Sequence, residues 1–345
     1  MSGIMRKRVV DAINHKETDL TPWDIELTSA FEKKFMDETG CGNVAEYLGC
    51  HNIKFRYKQN KVLDGGREED IFGATWEKTK DGGDVGNIVG YPLLNNSEDD
   101  ILGSYNFPEI RVGFANSQCD KLEADKEHFR MFGITMCYFE RAWSLRTMEE
   151  LLADMAINQS ETHKLFDGIL EHHLKLLDII LERDFEAVYF GDDWGQQRGL
   201  IMGPKYWREY IKPGFKAMFE KVKNKGKYVV LHSCGDLSEI MGEVIDIGMD
   251  VYNTVQPEIY DLKKLKEEYG KHMTIYGGIS TQQFLPHASV SECREQAKWM
   301  IENMGRGGGL ILSPTHAVTP DIPAENIIAL ADTAREMGKQ KIYIK

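Results

Sequence analysis

The fold that we predict for this chain depends on one stretch, Tyr228-Val229-Val230-Leu231-His232-Ser233-Cys234-Gly235-Asp236. Its apolar first half is typical of a short, fully buried β-strand, which ends abruptly before His232 and Cys234. Imidazole and thiol groups are common metal ligands, and α/β proteins place their active-site residues just past the carboxyl ends of their strands. For this pair taken alone, the alternative is a buried cysteine in a strand-to-helix turn, with Asp236 as the helix cap.

Apolar strand-like runs alternate with helical patterns along the chain. Strands are predicted at residues 23–27, 51–57, 131–139, 187–190, 228–231, 251–254, 274–276 and 309–312. Helices are predicted at residues 6–15, 29–48, 147–183, 204–225, 238–247, 262–269, 290–304 and 324–337, and the third is long enough for two. Eight strands separated by helices predict an α/β fold, a (β/α)₈ TIM barrel that forms a single domain over residues 1–345. A doubly wound sheet is the alternative, but no Gly-x-Gly-x-x-Gly follows the first strand to favour it.

Residues 58–125 interrupt this alternation of strands and helices between the second and third predicted strands. Glycines at Gly65-Gly66, Gly82-Gly83 and Gly86 separate short β-like pieces such as residues 74–79, a pattern that predicts hairpins. We interpret the stretch as an insertion in the barrel, and as a candidate lid or docking subdomain.

The composition is that of an ordinary soluble globular protein, with 42% hydrophobic and 28% charged residues. Lys+Arg 42 against Asp+Glu 55 gives a formal net charge of −13, which disfavours binding to nucleic acid or to anionic membranes. No apolar run approaches the roughly 18–20 residues of a membrane span. The six cysteines are scattered without a Cys-x-x-Cys pair, which indicates a reducing, cytoplasmic setting.

In a barrel, the residues that follow the strands share one rim. The polar residues at these positions are numerous, although some are ordinary caps, a role that we assign to Asp193 and Asp236. We predict substrate contacts for Asp24, Glu26, Tyr57, Glu140, Trp194, Asn253 and Gln256. Trp194 alternatively packs in the core, and the adjacent His172-His173 is interpreted as a packed or solvated pair within a helix.

His232 and Cys234 at one strand end, with His316 beyond another, are the predicted metal ligands. Zinc takes imidazole, thiolate and carboxylate ligands in a tetrahedron, and a catalytic zinc keeps one position open. Three protein ligands would leave the fourth coordination position open. Asp192 or Glu140 would be a fourth ligand, a partner of a ligand, or a substrate contact.

Five stretches resemble the uroporphyrinogen decarboxylase superfamily. They are Phe190–Gly199, Gly203–Trp207, His232–Asp236, Tyr276–Ser280 and Pro314–Asn326. The resemblance covers nearly the whole chain and is strongest in its second half. It implies a (β/α)₈ barrel, in agreement with the strand count.

The superfamily contains two chemistries. Its porphyrinogen decarboxylases carry an N-terminal Met-Arg-Gln-Ala-Gly-Arg motif whose arginines bind substrate carboxylates, whereas residues 21–29 here include Asp24 and Glu26 and no arginine. The other branch, the corrinoid-dependent methyltransferases, includes coenzyme M methyltransferases, which bind zinc through His-x-Cys and a later Cys. This chain has His316 where that later Cys would fall, so it is more similar to the O-demethylase components of anaerobes.

The resemblance therefore implies an enzyme that transfers a methyl group from a small methylated substrate, an aryl methyl ether, to a corrinoid on a partner protein. The departing oxygen needs a proton donor or a Lewis acid. Zinc bound by the three ligands could act as the Lewis acid, or His316 or Asp192 could act as the proton donor. The candidate catalytic residues are therefore Asp192, His232 and His316. The alternatives are a zinc-dependent methylcorrinoid:thiol methyltransferase, a decarboxylase, and a non-catalytic corrinoid-protein partner. Homo-oligomerisation stays open.

Overall fold

The computed structural model describes residues 3–78 and 86–343, and the predicted turn at Gly82-Gly83 lies outside these ranges. The strands are β1 (Asn52–Arg56), β2 (Lys61–Val62), β3 (Arg67–Glu69), β4 (Thr75–Glu77), β5 (Asn87–Gly90), β6 (Phe129–Thr135), β7 (Ala187–Gly191), β8 (Gly195–Gln196), β9 (Gly199–Leu200), β10 (Tyr228–His232), β11 (Val251–Val255), β12 (Thr274–Ile279) and β13 (Leu310–Pro314).

The helices are α1 (Ile4–Ile13), α2 (Ser29–Thr39), α3 (Val44–Leu48), α4 (Val112–Ala124), α5 (Phe139–Arg146), α6 (Met148–Ile157), α7 (Gln159–Ile180), α8 (Gly203–Tyr206), α9 (Lys212–Asn224), α10 (Met241–Asp246), α11 (Leu262–Tyr269), α12 (Val290–Met304) and α13 (Ala324–Tyr343). A π-helical turn, Trp207–Ile211, joins α8 to α9. Within the described ranges, none of the helices has both the length and the apolar character that a membrane crossing needs.

Seven parallel strands form the central sheet, in the order β1-β6-β7-β10-β11-β12-β13. Their order in the sheet is their order in the chain, as expected when each strand is followed by a helical crossover. β7, β11, β12 and β13 are buried at every position. Both faces of a parallel sheet are covered, which explains why these strands have continuous apolar runs rather than an alternating pattern.

The predicted strand at residues 23–27 is not a regular strand, and the prediction of eight strands is wrong in this respect. Trp23 and Leu27 make only isolated parallel bridges, to Leu312 and Val318. Asp24 N–H donates to the Leu312 carbonyl at 3.0 Å, and His51 N–H donates to the Trp23 carbonyl at 2.9 Å. The segment thus lies between the last strand and the first, but Pro22 lacks an N–H and Thr28 already caps α2, which leaves too little length for a ladder.

A separate four-stranded antiparallel sheet, β2-β3-β4-β5, forms within the predicted insertion. We call residues 61–90, which contain this sheet, the insertion sheet; residues 79–85 within it lie outside the described ranges. The predicted range 58–125 also contains α4, which packs beside β1: the ring of Phe114 lies 5.8 Å from that of Tyr57, and Lys121 lies over Phe55. α4 is therefore part of the crossover between β1 and β6.

Candidate functional site

His232, Cys234 and His316 lie together at the carboxyl end of the sheet. The potential ligand atoms of the three side chains all lie within 4.8 Å of one another. His232 Nε2 is 3.7 Å from Cys234 Sγ, and the rings of His232 and His316 are 6.0 Å apart between centroids. We call these three residues the His-Cys-His cluster. The sequence-based prediction that they converge is confirmed.

A neighbouring strand fixes the orientation of His232. Because β10 pairs with β11, His232 lies opposite Asn253, and His232 Nδ1 is 2.6 Å from Asn253 Oδ1. Asn253 Nδ2 donates to the Tyr276 carbonyl at 3.3 Å, and Tyr189 donates its hydroxyl to Asn253 Oδ1 at 3.1 Å. The amide oxygen therefore faces His232, so Nδ1 carries the proton and the Nε2 lone pair faces the cluster.

Cys234 lies in a tight loop whose backbone is held from two sides. Cys234 N–H donates to Asp193 Oδ1 at 2.8 Å, and Gly235 N–H donates to Gln256 Oε1 at 2.9 Å. Gly235 has a φ of +85°, and a Cβ there would lie 2.1 Å from the carbonyl carbon of Gly195. Only glycine fits this close approach, and the loop is consequently fixed.

The thiol of Cys234 is protonated in the absence of a cation. Burial, with the negative charge of Asp193, raises its pKa above the usual range. Partial burial of its ring and the neighbouring His232 lower the pKa of His316, although the residue is exposed to solvent. A bound metal ion would reverse the preference of the thiol, since a coordinated thiol loses its proton.

The cluster fits a tetrahedral zinc ion by its chemistry. Zinc bonds of about 2.0–2.1 Å to nitrogen and about 2.3 Å to sulfur put neighbouring ligand atoms roughly 3.3–3.8 Å apart. The 3.7 Å separation of His232 Nε2 and Cys234 Sγ agrees with this range. The orientation of His232 by Asn253 is the kind of contact that metal-bound histidines make.

Asp192, predicted as a catalytic acid, is fully buried and is not among the residues that line the cavity described below. Its carboxylate accepts N–H groups from Tyr138 at 2.8 Å, Phe139 at 3.0 Å and Glu140 at 2.9 Å, and from the Trp194 indole at 2.6 Å. Burial raises the pKa of Asp192 to about 6, which these donors oppose. Asp192 thus holds the start of α5 in place, and the structure gives no support to a contact with substrate.

Three residues predicted to contact substrate are not among the residues that line the cavity described below. Trp194 is fully buried and packs against Trp207 and Phe215, so the packing alternative applies. Gln256 holds the Cys234 loop through Gly235. Asp24 accepts a hydrogen bond from the hydroxyl of Tyr276.

A cavity of about 870 Å³ opens beside the His-Cys-His cluster. Its walls include His232 and His316, and four of the predicted substrate contacts, Glu26, Tyr57, Glu140 and Asn253. Glu68 and Trp76 of the insertion sheet line it as well. The cavity is large enough for a small organic ligand.

Two charged residues, one in the cavity wall and one paired with a wall residue, were not predicted from the sequence. Asp193, assigned as an ordinary cap, lines the cavity and lies 3.7 Å from His232 Nε2. Lys54 lies 2.8 Å from Glu26 and 3.8 Å from the centroid of the Tyr189 ring. Alternation in β1 was the available signal, because Asn52, Lys54 and Arg56 share one side of that strand.

Charge is unevenly distributed across the cavity walls. Glu26 pairs with both Lys54 and Arg56, and these two cations lower its pKa although burial opposes them. Burial lowers the pKa of Lys54 in turn. Burial, then Asp193 and Asp192, raises the pKa of Glu140 well above its usual value, which favours its protonated form.

Comparison with known proteins agrees with this architecture. The sequence profile of the family described as Uroporphyrinogen decarboxylase (URO-D) matches residues 96–337. The uroporphyrinogen decarboxylases of Legionella pneumophila and Actinobacillus succinogenes are each 20% identical to this chain, over 209 and 206 residues. Each alignment covers 59% of this chain and 56% of the relative, so the chain spans just over half the length of the curated relatives that it matches.

A solved structure resembles nearly all of the chain. A methyltransferase from Methanosarcina mazei superimposes with a TM-score of 0.74 at 18% identity, covering 96% of this chain and 98% of that one. The likeness shows a shared TIM-like fold. The profile match over residues 96–337 is what assigns the family: this chain belongs to the uroporphyrinogen decarboxylase (URO-D) family.

Proposed function

We propose that this chain is a methyltransferase that transfers a methyl group from a small methylated substrate, an aryl methyl ether, to the cobalt of a corrinoid on a separate protein. The observation that carries the proposal is the His-Cys-His cluster, of which His232 and His316 line a cavity of about 870 Å³. The resemblance to a methyltransferase over 96% of the chain supports it at the level of the fold.

His232, Cys234 and His316 are the residues that would hold a zinc ion. When bound, zinc would act as a Lewis acid toward the substrate oxygen. The chain itself orients His232 through Asn253 and holds the Cys234 loop through Asp193 and Gln256. The cavity walls orient the substrate and exclude water from the departing oxygen.

Glu140 is the proton donor that we propose for the departing oxygen. It lines the cavity, and its carboxyl group favours the protonated form because of burial and the adjacent acidic residues. Asp192 is unsuited to this task because four N–H groups already occupy its oxygens. Glu140 would therefore give its Oε proton to the leaving oxygen.

The insertion sheet is our candidate for the lid or for the docking surface of the corrinoid protein. Glu68 and Trp76 reach the cavity wall from it. Asp70 connects it to the rim, because Arg141 Nη1 donates to Asp70 Oδ2 at 2.6 Å in a buried ion pair. A partner that approaches the cavity would contact this sheet.

A decarboxylase is the second candidate, and one observation favours it. Glu26, whose negative charge would repel a carboxylate, is paired with both Lys54 and Arg56. The group Glu26–Lys54–Arg56 therefore has a net charge of +1 when all three are ionised, which is compatible with a carboxylate substrate. Release of CO₂ from a small carboxylic acid would identify this activity.

The proposed function is tested by methylation of cob(I)alamin in the presence of zinc-loaded protein and a panel of methoxyarenes, followed by visible absorbance. We expect turnover with at least one methyl ether, and a loss of about 100-fold or more in His316→Ala. His287→Ala, at an exposed position away from the cavity, is the matched control. Turnover with thiols only, release of CO₂ without methyl transfer, or the absence of turnover with every compound would contradict the proposal.

A further inference from the structure

The three residues of the His-Cys-His cluster are held with unequal firmness. His232 and Cys234 are half-buried, whereas His316 is exposed. Asn253 holds the ring of His232 through a contact of 2.6 Å between Oδ1 and Nδ1, and the N–H of Cys234 donates to Asp193. Two of the three candidate ligands are therefore in place before any ion binds.

The imidazole of His316 has no such support. Neither of its ring nitrogens makes a hydrogen bond to another residue within the described ranges, 3–78 and 86–343. The ring of His232 contacts it there, at 6.0 Å between centroids and 68° between planes. Metal-bound histidines usually donate their second nitrogen to a partner, and solvent can accept that proton without fixing the ring. His316 can thus reach the ion, but the chain does not hold its ring in that position.

The backbone on either side of His316 is fixed, so its freedom belongs to the side chain. Thr315 N–H donates to the Ile279 carbonyl at 2.8 Å, and Val318 N–H donates to the Glu26 carbonyl at 2.8 Å. Thr315 is 3% exposed and Val318 is fully buried. An exposed side chain between two such anchors changes rotamer within nanoseconds, without movement of the main chain. Since His316 lines the cavity, the rotated ring has space to occupy.

We propose that His316 is an exchangeable ligand of the zinc ion that the cluster would hold, and that His232 and Cys234 retain the ion when His316 leaves it. Rotation of the His316 ring into the cavity frees a second coordination position, in addition to the open position of a three-ligand site. A small molecule with two adjacent donor atoms would then bind. This inference rests on the metal cluster of the proposed function and adds bidentate ligands to those that the site accepts.

Unequal contributions to metal affinity follow from this difference. The ring of His232 loses little freedom when it binds an ion, because its contact with Asn253 already fixes it. The ring of His316 loses its rotameric freedom only on binding, and this entropy cost offsets part of the bond that it makes. It also lacks the partner that raises the basicity of a histidine ligand. Removal of His316 should therefore reduce zinc affinity much less than removal of His232.

Competition with a chromophoric chelator measures the zinc affinity of the full chain, in the absence of corrinoid and of methylated substrate. We expect His232→Ala to weaken zinc binding by about 100-fold or more, and His316→Ala by about tenfold or less. His287→Ala, at an exposed position that does not line the cavity, is the control and should match the wild type. Equal losses in His232→Ala and His316→Ala would overturn the inference.

X-ray absorption of the zinc-loaded wild-type protein observes the exchange itself, because scattering from the outer ring atoms counts the imidazole ligands. We expect two imidazoles without a probe and one after saturation with acetohydroxamate, which binds zinc through two oxygen atoms. The sulfur of Cys234 should remain in both states. An imidazole count that the probe leaves unchanged would overturn the inference, and loss of the sulfur would contradict retention of the ion by His232 and Cys234.

The wild-type measurement decides if His232→Ala fails to fold, and the two proposals fail separately. Exchange of His316 without methylation of cob(I)alamin would overturn the proposed function alone. Methylation by a protein whose imidazole count stays at two with the probe would overturn this inference alone.

Discussion

One hydrogen bond decides which nitrogen of His232 faces the cavity. Asn253 Oδ1 accepts from His232 Nδ1 and from the Tyr189 hydroxyl, and the amide is oriented in turn by the Tyr276 carbonyl. The pairing of β10 with β11 is what brings Asn253 opposite His232. The register of two paired strands, rather than the conformation of a loop, therefore orients the His232 ring.

Asn253→Ala removes this contact without touching the cluster directly. We expect the zinc affinity to fall by about 10–100-fold, because partners of metal-bound histidines fix both the tautomer and the ring orientation. Competition with a chromophoric chelator measures the affinity. Asn303→Ala, at an exposed position in α12, is the control, and equal affinities in the two variants would show that Asn253 has no such role.

Cys234→Ser tests whether the thiol is a ligand. At a zinc concentration 100 times its Kd, the wild-type protein should gain about 2.7 kcal/mol of stability from binding, and chelation should reverse the gain. The variant should gain far less, because a serine hydroxyl is a poor zinc ligand. Thermal unfolding with and without zinc measures this, and Cys41→Ser, half-buried and distant, serves as the control. An undiminished gain in Cys234→Ser would rule out the thiol.

The residues of the His-Cys-His cluster were predictable at this scale, whereas their neighbours were not. Strand ends identify His232, Cys234 and His316 because parallel strands place their carboxyl ends together. Asp192 and Asp193 are adjacent in sequence, and no local pattern shows that the first accepts N–H groups from residues 138–140 while the second lines the cavity. Their roles depend on contacts about fifty residues apart.

Among the elements, the segment at residues 22–28 departs most from expectation. Its backbone hydrogen bonds are divided among β13, Val318 beyond that strand, and His51, and its Glu26 side chain adds ion pairs to β1. Predicted strand 131–139 also ends early, because Met136 has a φ of +49° and the chain turns into α5. Thr147, with a φ of +94°, separates α5 from α6. Positive φ at such residues is set by tertiary contacts, whereas α11 and α12 have the predicted bounds.

Glu26→Gln tests how firmly the segment at 22–28 is attached to β1. Lys54 and Arg56 lower the pKa of Glu26, so its ionised form stabilises the fold above the unfolded-state pKa of about 4.3, and that contribution disappears as the pH falls through the lower folded-state value. We expect the variant to be less stable by about 1 kcal/mol at pH 7, with the difference shrinking below about pH 4.3. Urea unfolding across pH measures it; a difference that is constant down to pH 2 would contradict the assignment.

For the molecule as a whole, a curved sheet of seven parallel strands supports the site and a small antiparallel sheet extends over its cavity. The alternation of strands and helices was predictable because crossover helices and buried strands differ in the spacing of their apolar residues. The pairing of β2–β5 and their placement against the rim were not, since short strands of two to four residues carry little pattern.

Asp70→Asn tests the attachment of the insertion sheet to the rim. Asp70 accepts from Phe72 N–H, Ala74 N–H, the Trp76 indole and Arg141. Loss of its charge should weaken the contact with Arg141 and raise amide hydrogen exchange in residues 61–78 and 86–90, with β7 and β10 unchanged. Asp64→Asn, on the exposed surface of the same sheet, is the control. Unchanged exchange in the insertion sheet would mean that other contacts hold it.

The central claim is that His232, Cys234 and His316 bind one metal ion beside the cavity. X-ray absorption at the zinc edge of the stoichiometric complex tests it most directly. We predict one sulfur neighbour at about 2.3 Å and nitrogen neighbours at about 2.0 Å, with the sulfur shell lost in Cys234→Ser. A zinc environment without sulfur, or with two or more sulfur neighbours, would contradict the claim.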